Sequence, residues 1–192
     1  YQKEKNDKIQ LNDPPVSHLD IWISAKFAKL KENIINDIQS FKMHRISKYI
    51  EHFVEDLNNS YIKANRASLK GKNNEWKSSL GSLGTILLNL AILLNPIMPD
   101  TMNFIFQEIK KTGLIESNLS DLKYENINSL VFSEELSSKE QMMDLVFELI
   151  RGVLSYRGTQ NLSFRTPIVE IKFGLSCEDY KKLNELKHFT QL

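Results

Sequence analysis

Lys63, Arg66 and Lys70 recur at i, i+3 and i+7, a spacing that lines one helix face with positive charge. Residues 60–72 add Lys72 and hold no acid. A second basic stretch, residues 151–173, sets Arg151, Arg157, Arg165 and Lys172 against Glu170 alone. Two such patches suit a phosphate backbone approached in one orientation. Asn65 and Arg66 add bidentate hydrogen-bonding groups matched to base edges or phosphates. From charge alone, a solvated helix face accounts for each stripe equally well. Trp22, Tyr49, Phe53, Tyr61 and Phe106 are the aromatics that can stack on unpaired bases. Helical spacing assigns most of them to a core, and Tyr61 is the exception because it abuts the basic stripe.

Other chemistry is missing. None of His18, His44, His52 and His188 has the i, i+4 partner of a helical zinc pair. No Gly-rich phosphate loop and no G-x-S-x-G elbow occurs, and Gly81-Ser82-Leu83-Gly84 lies mid-helix with no following lysine. Cys177 stands alone, which excludes an internal disulfide and a multi-Cys zinc site and fits a reducing compartment. Read by itself, the chain is not expected to be a complete enzyme.

The elements that must position these groups are helical. The 192 residues are 41% hydrophobic and 26% charged, a globular composition, and seven Gly and five Pro favour long helices. The net charge of +1 leaves any nucleic-acid role to local patches. The start, through Asp13, is too polar for a signal peptide. The most apolar stretch, Leu80–Met98, is interrupted by Ser82, Thr85, Asn89, Asn95 and Pro96 and reads as a buried helix, with no membrane association expected.

Prolines at 14–15, 96, 99 and 167 bracket two long Pro-free stretches. The first helix is expected over 17–41, capped by Ser17 with Asp20, and turns Ile23, Phe27, Leu30, Ile34, Ile38 and Phe41 inward. The second, over 43–70, turns Ile46, Ile50, Phe53, Leu57, Tyr61 and Ala64 inward and ends at Gly71. Helices over 75–94 and 99–112 complete an antiparallel bundle, the last carrying Phe104, Phe106 and Ile109. A fifth helix near 138–156 places Met142, Leu145, Val146, Leu149, Ile150 and Val153 on one face. Strands are expected at 130–132 and 168–173, and a last helix from Ser176. The fold class is thus mainly α, a helical bundle followed by a small α+β appendage. The expected divisions are a linker at 1–16, the bundle at 17–113, an acidic connector at 114–137 and a module at 138–192, cut short at Leu192.

Four ordered segments carry a family resemblance: Asp20-Ile-Trp22-Ile23; Tyr61-Ile-Lys-Ala-Asn-Arg-Ala-Ser-Leu-Lys-Gly71; Asn95-Pro-Ile-Met-Pro99; and Arg157-Gly-Thr-Gln-Asn161-Leu-Ser-Phe-Arg165-Thr-Pro167-Ile168. Together they resemble the anticodon-binding region of the isoleucyl-tRNA synthetases, in the longer, eukaryote-like form. Asn103, Val131 and the Val153-Leu154 pair depart from that pattern, and the valyl and leucyl siblings have similarly built bundles. The family's HIGH and KMSKS signatures and its editing domain are absent, so the chain is expected to follow a catalytic domain it does not contain.

The resemblance implies a cytoplasmic parent enzyme that joins isoleucine to its tRNA with ATP and Mg²⁺, and a fragment that holds neither cofactor. It implies tRNA and the parent's catalytic and editing domains as partners, with the fragment gripping the anticodon arm. Lys63, Asn65, Arg66 and Lys70 are then the candidate contacts on the bundle, and Arg157, Asn161 and Arg165 those nearer the bases. Asp20 and Trp22 are read as locking helices together. The rival readings are a helical protein-interaction module and an RNA-binding bundle indifferent to the anticodon.

Overall fold

The computed structural model describes residues 17–71, 76–113 and 134–163, with 166, 167, 172, 174 and 176. The expected strand at 130–132, that at 168–173 apart from Lys172, the helix beyond Ser176, Lys72 and Arg165 lie outside the described residues. The rest is helical: α1 (His18–Gln39), α2 (Ile46–Glu55), α3 (Arg66–Leu69), α4 (Trp76–Leu94), α5 (Pro99–Lys111) and α6 (Glu134–Thr159).

Helix α1 begins where its capping box dictates. The Asp20 amide donates to Ser17 Oγ at 3.0 Å, and the Ser17 amide donates back to Asp20 Oδ2 at 3.4 Å. The chain returns antiparallel, since Arg45 pairs with Asp37, Phe53 stacks edge-on against Phe27, and Tyr61 meets Asp20. Ile23, Phe27, Leu30 and Ile34 are buried as their spacing predicts, whereas Ile38 is 43% and Phe41 91% exposed. The helix ends at Gln39, two residues before Phe41, so the periodicity no longer applies there.

The expected single helix over 43–70 is four pieces. A 3₁₀ turn at Met43–Arg45 leads into α2, a π-helical segment spans Asp56–Ile62, and a break at Asn65 precedes α3. The wider π turn shifts the register by a residue. The inward position after Tyr61 therefore falls to Asn65, and Ala64 faces solvent. Gly71, at φ 73°, closes α3 as expected.

Helix α4 is long and apolar enough to cross a bilayer, yet more than half of its apolar window is buried inside the fold. Pro96 and the N-terminal Pro99 of α5 force the turn into α5, where Met102, Phe106 and Ile109 face inward and Phe104 outward. Helix α6, the first element of the expected 138–192 module, packs along α1. Among its described side chains Glu140 and Phe147 are buried, while Ile150 of the expected face is 46% exposed. The helix is held by Phe147 against Trp22 and by polar partners on α1 that apolar periodicity does not register.

Candidate nucleic-acid interface

The segment bearing the basic residues is tied to α1 through a buried polar cluster. Tyr61 is wholly buried, and its hydroxyl donates to Asp20 Oδ1 at 2.5 Å, with Ser79 O at 3.3 Å. Asn65 Nδ2 donates to the same Asp20 oxygen at 3.5 Å. Burial, and then the adjacent Asp20 charge, push the Tyr61 phenol well above its ordinary range, which keeps it a donor. Tyr61 is thus unavailable for base stacking. Asn65, expected among the RNA contacts, is 5% exposed and belongs to this cluster.

Trp22, two residues along α1, does the same for α6. Its indole Nε1 donates to Asp144 Oδ1 at 2.9 Å, and its ring lies 4.7 Å from that of Phe147. Lys26 sits beneath, 2.8 Å from Asp144, 3.2 Å from Glu140 and 3.9 Å from Asp56. Burial opposes the Lys26 charge, but Asp144 and Glu140 outweigh it and hold the ammonium above its ordinary pKa. Asp56 is shifted upward by burial against the pull of Lys26. Asp20 and Trp22 therefore lock helices, as the sequence reading assigned them. Phe53 and Phe106 are core, and Tyr49 is half-buried.

Both basic groups consequently hang from the first turns of α1. Lys63, Arg66 and Lys70 are exposed, and Lys63 Nζ reaches the Asn59 amide oxygen at 3.0 Å. Among the described residues no carboxylate pairs with any of the three. Helix α6 runs antiparallel to α1, because Glu140 lies by Lys29 and Phe147 by Trp22. The residues beyond Phe147 run toward the start of α1 and carry exposed Arg151 and half-buried Arg157 in that direction.

Arg157 has intramolecular work. Its guanidinium donates to Ser163 O at 2.8 Å and Thr166 O at 3.0 Å, fastening the loop that follows α6. Asn161 ends the helix at φ 53°, a left-handed position that asparagine tolerates, and its side chain faces solvent. Of the expected contacts near the bases, Arg157 shapes a loop and Asn161 is displayed by it.

Comparison with known proteins matches residues 20–173 to the model for the anticodon-binding domain of tRNA ligase. The chain belongs to that family. The match spans the Asp20–Trp22 lock, the Lys63–Lys70 segment and the loop after α6. Curated relatives include the cytoplasmic isoleucine–tRNA ligase of Saccharomyces cerevisiae, 25% identical over 98% of this chain and 19% of the relative. That of Caenorhabditis elegans is 24% identical over 89% of this chain and 15% of the relative. The isoleucine–tRNA ligase of Clostridium novyi is 25% identical over 84% and 16% respectively. This anticodon-binding chain thus spans less than a fifth of the length of these relatives.

Proposed function

We propose that the chain is the anticodon-binding part of a cytoplasmic isoleucine–tRNA ligase, and that Lys63, Arg66 and Lys70 grip the anticodon arm's backbone. The observation that carries this reading is an unpaired cationic surface mounted on a rigid support. Three exposed bases follow directly on Tyr61, whose buried bond to Asp20 fixes that segment to α1. A pre-positioned cationic surface contacts phosphates at less cost in side-chain and backbone order than a mobile one. Asn161 and Arg165, on the segment that Arg157 fastens, would then lie nearer the unpaired bases, which single-stranded loops expose for stacking and edge recognition. The parent would carry out ATP- and Mg²⁺-dependent aminoacylation on domains outside this chain, and the present domain would hold the tRNA in register with them.

The test is a salt titration of tRNA binding with the triple variant Lys63→Ala, Arg66→Ala, Lys70→Ala. Loss of three phosphate contacts is expected to weaken binding and flatten the log–log salt slope by roughly two to three units. Wild-type affinity at every salt concentration would make the stripe a solvated surface only.

A further inference from the structure

The turn between α1 and α2 carries an aromatic residue that the fold does not use. Four described residues have a positive φ: Gly71, Gly113, Asn161 and Phe41. Three are residues suited to left-handed backbone; Phe41, at φ 56°, is not. Its position is the one that follows a helix cap. The Phe41 amide donates to Ile38 O at 3.1 Å and the Lys42 amide to Asp37 O at 2.7 Å, the bond pattern in which glycine is favoured. Yet the ring is 91% exposed and buries nothing in return. Met43 is 52% and Ile38 43% exposed beside it.

The surroundings of this ring are cationic. Lys42, His44, Arg45 and Lys48 are all exposed, and residues 38–50 contain no acid. Arg45 is engaged with Asp37 at 3.5 Å and lies over the Tyr49 ring. Lys42 and Lys48 have no ion-pair partner among the described residues. An exposed aromatic face flanked by unpaired cations is the combination that binds unpaired nucleotides, the ring stacking on a base and the cations holding adjacent phosphates. A protein partner would need an apolar socket with carboxylates set opposite Lys42 and Lys48, whereas every unpaired nucleotide of RNA carries a stacking base beside a phosphate.

We propose that the α1–α2 turn is a second RNA contact, with Phe41 stacking on an unpaired base and Lys42 and Lys48 holding the flanking phosphates. It lies at the opposite end of α1 from the Lys63–Lys70 surface, roughly 30 Å away at 1.5 Å per residue. The two contacts together fix the axis of a rod-like RNA along the bundle. This rests on RNA being the ligand, but it uses none of the residues assigned to anticodon-arm binding.

The experiment compares wild type, Phe41→Gly and the double variant Lys42→Glu, Lys48→Glu in binding a full-length isoleucine tRNA transcript, with Lys63→Ala, Arg66→Ala, Lys70→Ala in parallel. Phe41→Gly is expected to melt at or above the wild-type temperature, because glycine suits that backbone, while binding at least about fivefold more weakly, as loss of one stacked base implies. The charge-reversal pair is expected to bind more weakly and to show a shallower salt slope. Wild-type binding by both turn variants overturns the proposal, whatever the triple variant does. Weakened binding by the turn variants with a silent triple variant supports the turn contact and removes the anticodon-arm assignment instead. Unchanged tRNA affinity alongside lost association with other domains of the parent also overturns it, making the turn a protein-docking surface.

Discussion

Replacing Tyr61 with phenylalanine removes one oxygen from the centre of the bundle and nothing else. That oxygen is the donor to Asp20 Oδ1 at 2.5 Å; Asn65 Nδ2, at 3.5 Å, is the remaining side-chain contact to the same atom. A hydrogen bond to a charged group contributes about 1.5–3 kcal/mol, and leaving a buried carboxylate oxygen short of a donor places the loss toward the upper end. For a chain of this size roughly 2–4 °C of melting temperature accompanies each kcal/mol, so a drop of about 3–12 °C is expected. A double-mutant cycle with Asp20→Ala, which removes the acceptor, isolates the pair and should return a coupling of at least about 1 kcal/mol. Alkaline pH supplies an independent reading. The Tyr61 phenol titrates near 10.0 in an unfolded chain and higher in the fold, so the bond contributes fully below about pH 10. Above that value the unfolded chain loses a proton that the native chain keeps, and stability falls as pH rises. The phenylalanine variant has no proton to lose at this position, so the stability gap between wild type and variant should narrow as pH increases past about 10. Denaturant melts of both proteins across that range measure the gap. A coupling near zero together with a pH-independent gap would refute the lock.

Two further predictions concern α6. Phe147→Ala empties a buried site against Trp22 and should cost about 3–5 kcal/mol in a single cooperative melt, with a change in Trp22 fluorescence; a bundle transition that stays in place would make α6 a separate module. Lys26→Ala leaves Glu140, whose side chain is 3% exposed, with Lys29 at 3.7 Å as its remaining cation, and should destabilise by about 3–5 kcal/mol. Most of that loss should return on adding Glu140→Gln, and a stability unchanged by Lys26→Ala alone would rule out a structural role for the cluster.

The helices, their proline breaks, the Ser17–Asp20 cap and the Gly71 stop were legible because each is a local signal, complete within a few residues. The motif residues were legible as a set, but their division of labour was not. Asp20, Trp22, Tyr61 and Asn65 all face inward, while Lys63, Arg66 and Lys70 face outward from the same short segment. What separates Ala64 from Asn65 is the π turn, and no apolar period records an extra residue per turn. The attachment of helix α6 to α1 was not legible for a related reason. It joins the Phe147 ring packed on Trp22 to the bonds of Asp144 and Glu140 with Trp22 and Lys26, and the polar half leaves no trace in the apolar period. Phe41 continued the α1 periodicity on paper, and only the observed end of the helix at Gln39 turned it outward.

A domain that reads an anticodon arm must distinguish two tRNAs that differ only in the anticodon. An isoleucine tRNA transcript and the same transcript with its anticodon triplet replaced differ in nothing that the backbone cations contact. At fixed salt, replacement is expected to weaken binding at least about tenfold, about 1.4 kcal/mol, while both forms keep the same salt slope. Equal affinity for the two transcripts would contradict it, leaving a cationic bundle that holds RNA without regard to the anticodon.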